Sequence, residues 1–269
     1  MASSENLKNK KLFLFDIDGT LAVGDTLYEG SKELLSYIRS IGGKAYYITN
    51  NSTKSGADYV KKFRHSFGLE TEEEQFVTSG YMTIRFLKEH FSGEKIFVLG
   101  TASFINELRH SNLHVTERCE KDIACVTAAY DSELTYEKLV EICRVLFTME
   151  VPFYATNPDL CCPAAFGFIP DCGSICGMIS QTTGKSPVYL GKPSRTVVDL
   201  CLDRSGFLPE ETLVVGDRLY TDIACGINGG VETCLVFTGE AKPEDLRDTA
   251  YPPDYTFDNI KELWKACVK

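Results

Sequence analysis

The apolar run LFLF (12 to 15) leads straight into two acids one residue apart, Asp16 and Asp18. A carboxylate at the end of a strand can attack as a nucleophile, hold a metal ion or do both, and a second acid two positions on can move protons. Ile17 points the other way in an extended chain, so the two acids can share a side, and Gly19 permits the tight exit that follows. The pair alone also spells a strand cap and an Asp-Gly turn. Three further stretches have the same form. In YYITNNSTKSG (46 to 56) an apolar strand ends in Thr49, Asn50 and Asn51, with Ser52 and Thr53 as natural helix N-caps. Neutral donors at a helix start suit a phosphate, although ordinary capping explains the stretch equally well by itself. In YLGKPSR (189 to 195) a strand is followed by Lys192, a compact positive charge for a phosphoryl group and a neighbouring carboxylate, and Ser194 opens a helix. In TLVVGDRLYTDIACG (212 to 226) Asp217 ends a strand and Asp222 follows at a helix start. Acids with room for water are what Mg2+ prefers.

These residues must be positioned by elements whose pattern is regular. Strand-length apolar runs at 12 to 15, 44 to 49, 96 to 100, 123 to 130, 153 to 156, 188 to 191, 212 to 217 and 233 to 239 alternate with helical patterns. The helical patterns fall near 32 to 41, 55 to 67, 134 to 147, 194 to 205 and 221 to 229. Such alternation implies an α/β fold with a parallel sheet and helices on its faces. Ligands bind such sheets at the carboxyl ends of strands, so Asp16, Thr49, Lys192 and Asp217 can converge though far apart in sequence.

At 269 residues and 43% apolar content the chain is globular, large enough for one broad domain or a core with a second module. No run of 18 apolar residues appears, and MASSENLKNKK reads as a frayed start without the apolar centre of a signal peptide. Eleven scattered cysteines, an odd number, favour a reducing cytoplasm. A net charge of −10 opposes broad attraction to nucleic acid or to an anionic membrane, so an anionic substrate must be drawn locally.

In order, D-x-D-G-T, T-N-N, G-K-P and G-D-x-x-x-x-D resemble the phosphatase branch of the haloacid dehalogenase superfamily. ITNNS, ATNPD (155 to 159) followed by GSI (173 to 175), and GKPS are similar to its p-nitrophenyl phosphatase or NagD-like group. The resemblance implies a Rossmann-like parallel-sheet core, residues 1 to 80 plus 185 to 269, and an inserted α/β cap over 81 to 184 that selects the substrate. It implies Asp16 as nucleophile and Asp18 as general acid/base. Thr49, Asn50, Asn51 and Lys192 would bind the phosphoryl group. Mg2+ would be held by Asp16, the carbonyl of Asp18 and Asp217, with Asp222 behind them. The expected reaction is Mg2+-dependent hydrolysis of a small-molecule phosphate ester through an aspartyl-phosphate, with p-nitrophenyl phosphate as an artificial substrate. The substrate itself and the oligomeric state, a homodimer included, stay open.

Two other classes fit parts of the pattern. A receiver-like signalling module also gathers acids, Mg2+, a hydroxyl and a lysine, but takes its phosphoacceptor from a middle strand of a much shorter chain. A metal-binding scaffold could keep the motifs without turnover. Asn157 and Asp159 follow a strand in the expected cap and face either a leaving group or a plain turn. Cys161, Cys162, Cys172 and Cys176 lack the spacing of a zinc site and read as buried thiols. His65, His90, His110 and His114 show no metal or nucleophile spacing.

Overall fold

The strand Leu12–Phe15 has all four residues buried, which places it inside a sheet covered on both faces. In the computed structural model, which describes residues 4–164 and 166–269, it is central in a six-stranded sheet. The order is Tyr255–Phe257, Glu232–Val236, Thr212–Gly216, Leu12–Phe15, Lys44–Thr49 and Phe76–Thr78. Pairings from Tyr255–Phe257 through Lys44–Thr49 are parallel. After the central strand the chain adds Lys44–Thr49 on one side, and Thr212–Gly216 takes the other, so the winding reverses between Leu12–Phe15 and Thr212–Gly216. A crevice opens at the carboxyl ends of strands at such a reversal. Helix Ser31–Ser40 turns Leu34 and Ile38 onto Phe13, Phe15, Tyr47 and Phe63, and Leu263 joins them from helix Ile260–Val268.

The chain divides into two compact units: 1–49, 56–77 and 192–269 form the first, and 50–55 with 78–191 the second. The second has its own five-stranded parallel sheet, ordered Val188–Tyr189, Phe153–Ala155, Ile123–Ala128, Lys95–Leu99 and His114–Thr116. Alternate residues of Lys95–Leu99 feed two cores, as period-two side chains must. Phe97 and Leu99 pack with Ile142, Val145 and Ile175, whereas Ile96 and Val98 pack with Leu87, Phe104 and Leu108. This is a separate inserted α/β sheet, as the family resemblance implies.

Several local expectations change. Ser52 and Thr53 do not cap a helix, because the helix begins at Gly56; Thr53 instead donates its backbone N–H (2.9 Å) and hydroxyl (2.7 Å) to Asn51 Oδ1. The helical stretch to Phe67 ends in a π-helical turn, Phe63–Phe67, and another such turn, Leu219–Ile223, precedes Ala224–Gly229. Ser194 stands at the N-cap of Arg195–Ser205, but its hydroxyl pairs with Thr196 Oγ1 at 2.8 Å rather than with the backbone. The first three residues of the expected frayed start lie outside the described residues. Ser4–Asn9 is a short helical turn with Leu7 buried in the core, so apolar burial orders what the polar composition reads as loose.

Candidate active site

Asp16 follows the central strand directly, and its N–H donates to the Val215 carbonyl at 2.9 Å, tying it to the neighbouring strand that ends beside Asp217. Lys192 Nζ donates to Asp16 Oδ1 at 2.6 Å and to Asp222 Oδ1 at 2.5 Å. Asp222 Oδ2 accepts the backbone N–H groups of Asp217 (3.2 Å) and Arg218 (3.0 Å), closing the wide turn around its carboxylate. Asp217 is held separately. Its Oδ1 accepts the Thr20 hydroxyl at 3.2 Å and its Oδ2 the Glu240 N–H at 2.8 Å.

Glycines make room for this. Gly19 has φ +94°, and a Cβ there would lie 2.7 Å from Asp217 Oδ2; a side chain at Gly239 would collide with the same carboxylate. The left-handed turn after Asp18 is therefore required both by the backbone and by the close approach of Asp217.

Asp16, Asp217 and Asp222 are all buried, with one carboxylate oxygen from each lying within 4.8 Å of the others. Burial and the charges of Asp222 and Asp217 push the Asp16 carboxyl well above its ordinary range, against the opposing pull of Lys192. Burial, then Asp222, push Asp217 up to about 6. Burial works against the Lys192 charge, but Asp16 and Asp222 outweigh it and raise its pKa, so the ammonium stays protonated. Three buried carboxylates around one lysine leave a deficit of positive charge. Hard oxygen donors with that deficit fit a divalent cation such as Mg2+.

Asp18 stands at the loop side of this cluster, half-buried, with Lys62 Nζ 3.8 Å from its Oδ1. Thr49 ends the strand adjacent to the central one and is buried beside the Tyr59 side chain. Burial and then the Asp18 charge raise the Tyr59 phenol. The six residues Asp16, Asp18, Thr49, Lys192, Asp217 and Asp222 all belong to the first unit. Asn50 and Asn51 fall in the second, where the Asn50 carbonyl accepts the Ser79 hydroxyl at 2.7 Å and the Asn51 amide is engaged in the turn to Thr53.

Sequence reasoning misses Thr20, Tyr59 and Lys62. Tyr59 and Lys62 are three apart on helix Gly56–Lys62, a spacing that puts them on one face. That spacing was the available signal. Asn157 and Asp159 are buried in the second unit. Asn157 Nδ2 donates to Asp159 Oδ2 at 2.9 Å and to Asp171 Oδ1 at 3.3 Å, and its Oδ1 accepts the Thr156 hydroxyl at 2.7 Å. Cys172 and Cys176 are buried with sulfurs 3.9 Å apart, and all eleven cysteines are free.

Residues 13–114 match the family described as haloacid dehalogenase-like hydrolase, and 189–263 match the one described as HAD-hydrolase-like. An acid sugar phosphatase of Staphylococcus aureus is 32% identical over 256 residues, covering 95% of this chain and 97% of the relative. The chain belongs to the haloacid dehalogenase family. Within that family it falls in the NagD and p-nitrophenyl phosphatase group. The 4-nitrophenylphosphatase of Thermotoga maritima superposes with a TM-score of 0.89 at 36% identity, over 97% of this chain and 99% of that one. A glycerol phosphate phosphatase of Mycobacterium tuberculosis, solved with magnesium, gives 0.86 at 25% identity over 96% and 78%. Both matched segments contribute to the buried cluster, Asp16 from the first and Asp217 and Asp222 from the second.

Proposed function

We propose that this phosphatase hydrolyses small phosphomonoesters with Mg2+, through an aspartyl-phosphate on Asp16. The observation that carries the reading is the buried cluster of three carboxylates gathered around one lysine at the reversal of the sheet. Asp16 and Asp217, with the Asp18 carbonyl, would hold the metal, and Asp222 anchors Lys192 and the backbone of Asp217. When bound, Mg2+ offsets the repulsion between carboxylate and phosphate dianion and aligns them for displacement.

An Asp16 oxygen attacks phosphorus while the ester P–O bond breaks, and Asp18 gives its proton to the departing oxygen. Lys192, charged and fixed on Asp16, stabilises the transferring phosphoryl oxygens. Thr49 and the Asn50 amide hold that group, with Asn51 shaping the loop. Water then attacks phosphorus, its proton goes to Asp18, and the P–O bond to Asp16 breaks, releasing phosphate and restoring both acids. Dividing the displacement in two avoids direct attack by water on the ester.

The relatives' names point to sugar phosphates, glycerol phosphate and p-nitrophenyl phosphate as the class of substrate for this chain. We assign substrate choice to the insertion, residues 81 to 184. Free cysteines and the net charge of −10 support a cytoplasmic enzyme of small esters rather than of nucleic acid or membranes. No helix of the described residues is long and apolar enough to cross a membrane.

Phosphate release from a panel of esters, with Mg2+ or EDTA and beside Asp16→Asn, tests the reading. Wild type should release phosphate only with the metal, and Asp16→Asn should lose about a thousandfold or more in kcat. No Mg2+-dependent release from any ester would overturn it.

A further inference from the structure

Lys62 is the last residue of helix Gly56–Lys62, immediately before the π-helical turn Phe63–Phe67. Its side chain is only 12% exposed, uncommon for a lysine outside a pair, and its ammonium lies 5.6 Å from the centre of the Phe67 ring. Among the described residues it is the cation paired with Asp18, at 3.8 Å. Lys192 is occupied with Asp16 and Asp222. Asp18 is therefore served by a different lysine, on a different element, from Asp16 and Asp222.

Asp18 needs such a partner. Its side chain is 37% exposed, far more than the neighbouring Asp217 and Asp222, which are locked by backbone N–H groups. A carboxyl that has to meet a leaving oxygen loses rate when its orientation wanders, since misplacement by about 1 Å can cost on the order of 100-fold. The Lys62 stem is confined by the Phe67 ring and the wide turn, so the ammonium is a fixed point against which the Asp18 carboxyl is oriented.

We propose that Lys62 is a positioning residue for proton transfer: it aims the Asp18 carboxyl at the leaving oxygen and touches no reacting atom itself. This rests on Asp18 being the general acid. Lys62 should then matter in proportion to how badly the leaving group needs a proton. p-Nitrophenolate departs without one, whereas phenolate and alkoxides do not depart readily without it.

The test compares kcat/KM for p-nitrophenyl phosphate and phenyl phosphate, with saturating Mg2+, in wild type, Lys62→Met, Lys62→Arg, Asp18→Asn and the Lys62→Met/Asp18→Asn double variant. Lys62→Met keeps the stem length, and its turnover of p-nitrophenyl phosphate reports that the enzyme is folded. We expect it to lose about tenfold on phenyl phosphate and less than about twofold on the nitrophenyl ester, with Lys62→Arg recovering most of the loss. In the Asp18→Asn background Lys62→Met should cost nothing further, because its partner is gone. Equal losses on both esters, or an undiminished loss in the Asp18→Asn background, would overturn the role of Lys62 while leaving that of Asp18 intact. If Asp18→Asn itself loses both esters equally, the general-acid reading falls first and Lys62's role falls with it.

Discussion

The two units share one plan, a parallel sheet clothed by helices, and both bury acids, yet they balance charge differently. In the inserted unit Asp131 has a lysine of its own, with Lys138 Nζ donating to its Oδ2 at 2.7 Å and to the Gly100 carbonyl at 3.0 Å. Asp159 and Asp171 share another donor of the same unit, the Asn157 amide. In the first unit, among the described residues, Lys192 pairs with both Asp16 and Asp222, and Asp217 has no ion pair of its own. A polar residue at a strand end is thus no sign of chemistry by itself. Unmet demand for a cation is the distinguishing mark, because burial makes that demand costly unless something binds.

The sharpest way to break the contrast is to remove the lysine from each unit. Lys192→Met should lower kcat by about a thousandfold and leave Asp16 and Asp222 facing each other, costing about 3 to 5 kcal/mol in metal-free denaturant titrations. Lys138→Met should leave kcat within about twofold and cost about 1 to 2 kcal/mol. If the second substitution harmed turnover as much as the first, the units would not differ as described.

A second effect, smaller, follows from pH. Burial raises the Asp217 carboxyl to about 6 in the folded state, from an ordinary 3.8, so the folded state holds its proton more tightly than the unfolded chain. Stability of the metal-free protein should then fall as pH rises from about 4 to 6, by a Tm decrease of about 5 °C. Mg2+ at 100 times its Kd should return about 2.7 kcal/mol above pH 6 and progressively less below, read by thermal melts with and without EDTA. A flat metal-free profile would remove the charge deficit. The smallest effect belongs to the inserted unit: Asn157→Ala should cost about 2 kcal/mol through the loss of its buried hydrogen bonds to Asp159, Asp171 and Thr156, and leave the Mg2+ affinity unchanged.

Much of the first unit is legible because parallel βα winding forces strand ends together: apolar runs ending in Asp16, Thr49 and Asp217 already state which residues meet. The strands of the inserted sheet are legible by the same period, and their separation into a second sheet by the family resemblance. What escapes is set by contacts across elements. Lys62 has the sequence of a solvated helical lysine, and only the Phe67 ring and the loop after the central strand bring it to Asp18. Thr20 shows nothing in sequence of its bond to Asp217, 197 residues away. Ser52 and Thr53 are good caps by type, but the Asn51 side chain takes up Thr53 and delays the helix to Gly56. Asn157 and Asp159 look outward-facing in a turn sequence and are buried because the helix start at Asp171 and Cys172 packs on them.

The pairing of Leu12–Phe15 with Thr212–Gly216 also has a consequence in time. During synthesis the first strand leaves the ribosome long before its neighbour exists, and Lys192 is 176 residues from the acid it holds. The inserted unit, whose five-stranded sheet ends at Tyr189, is synthesised earlier and can fold while the sheet beside Asp16 still lacks its far half. A nascent chain that stops short of residue 212 has no way to gather the three carboxylates. The enzyme therefore assembles its carboxylate cluster as one of the last acts of its own production, and a partial product carries Asp16 without Lys192, Asp217 and Asp222.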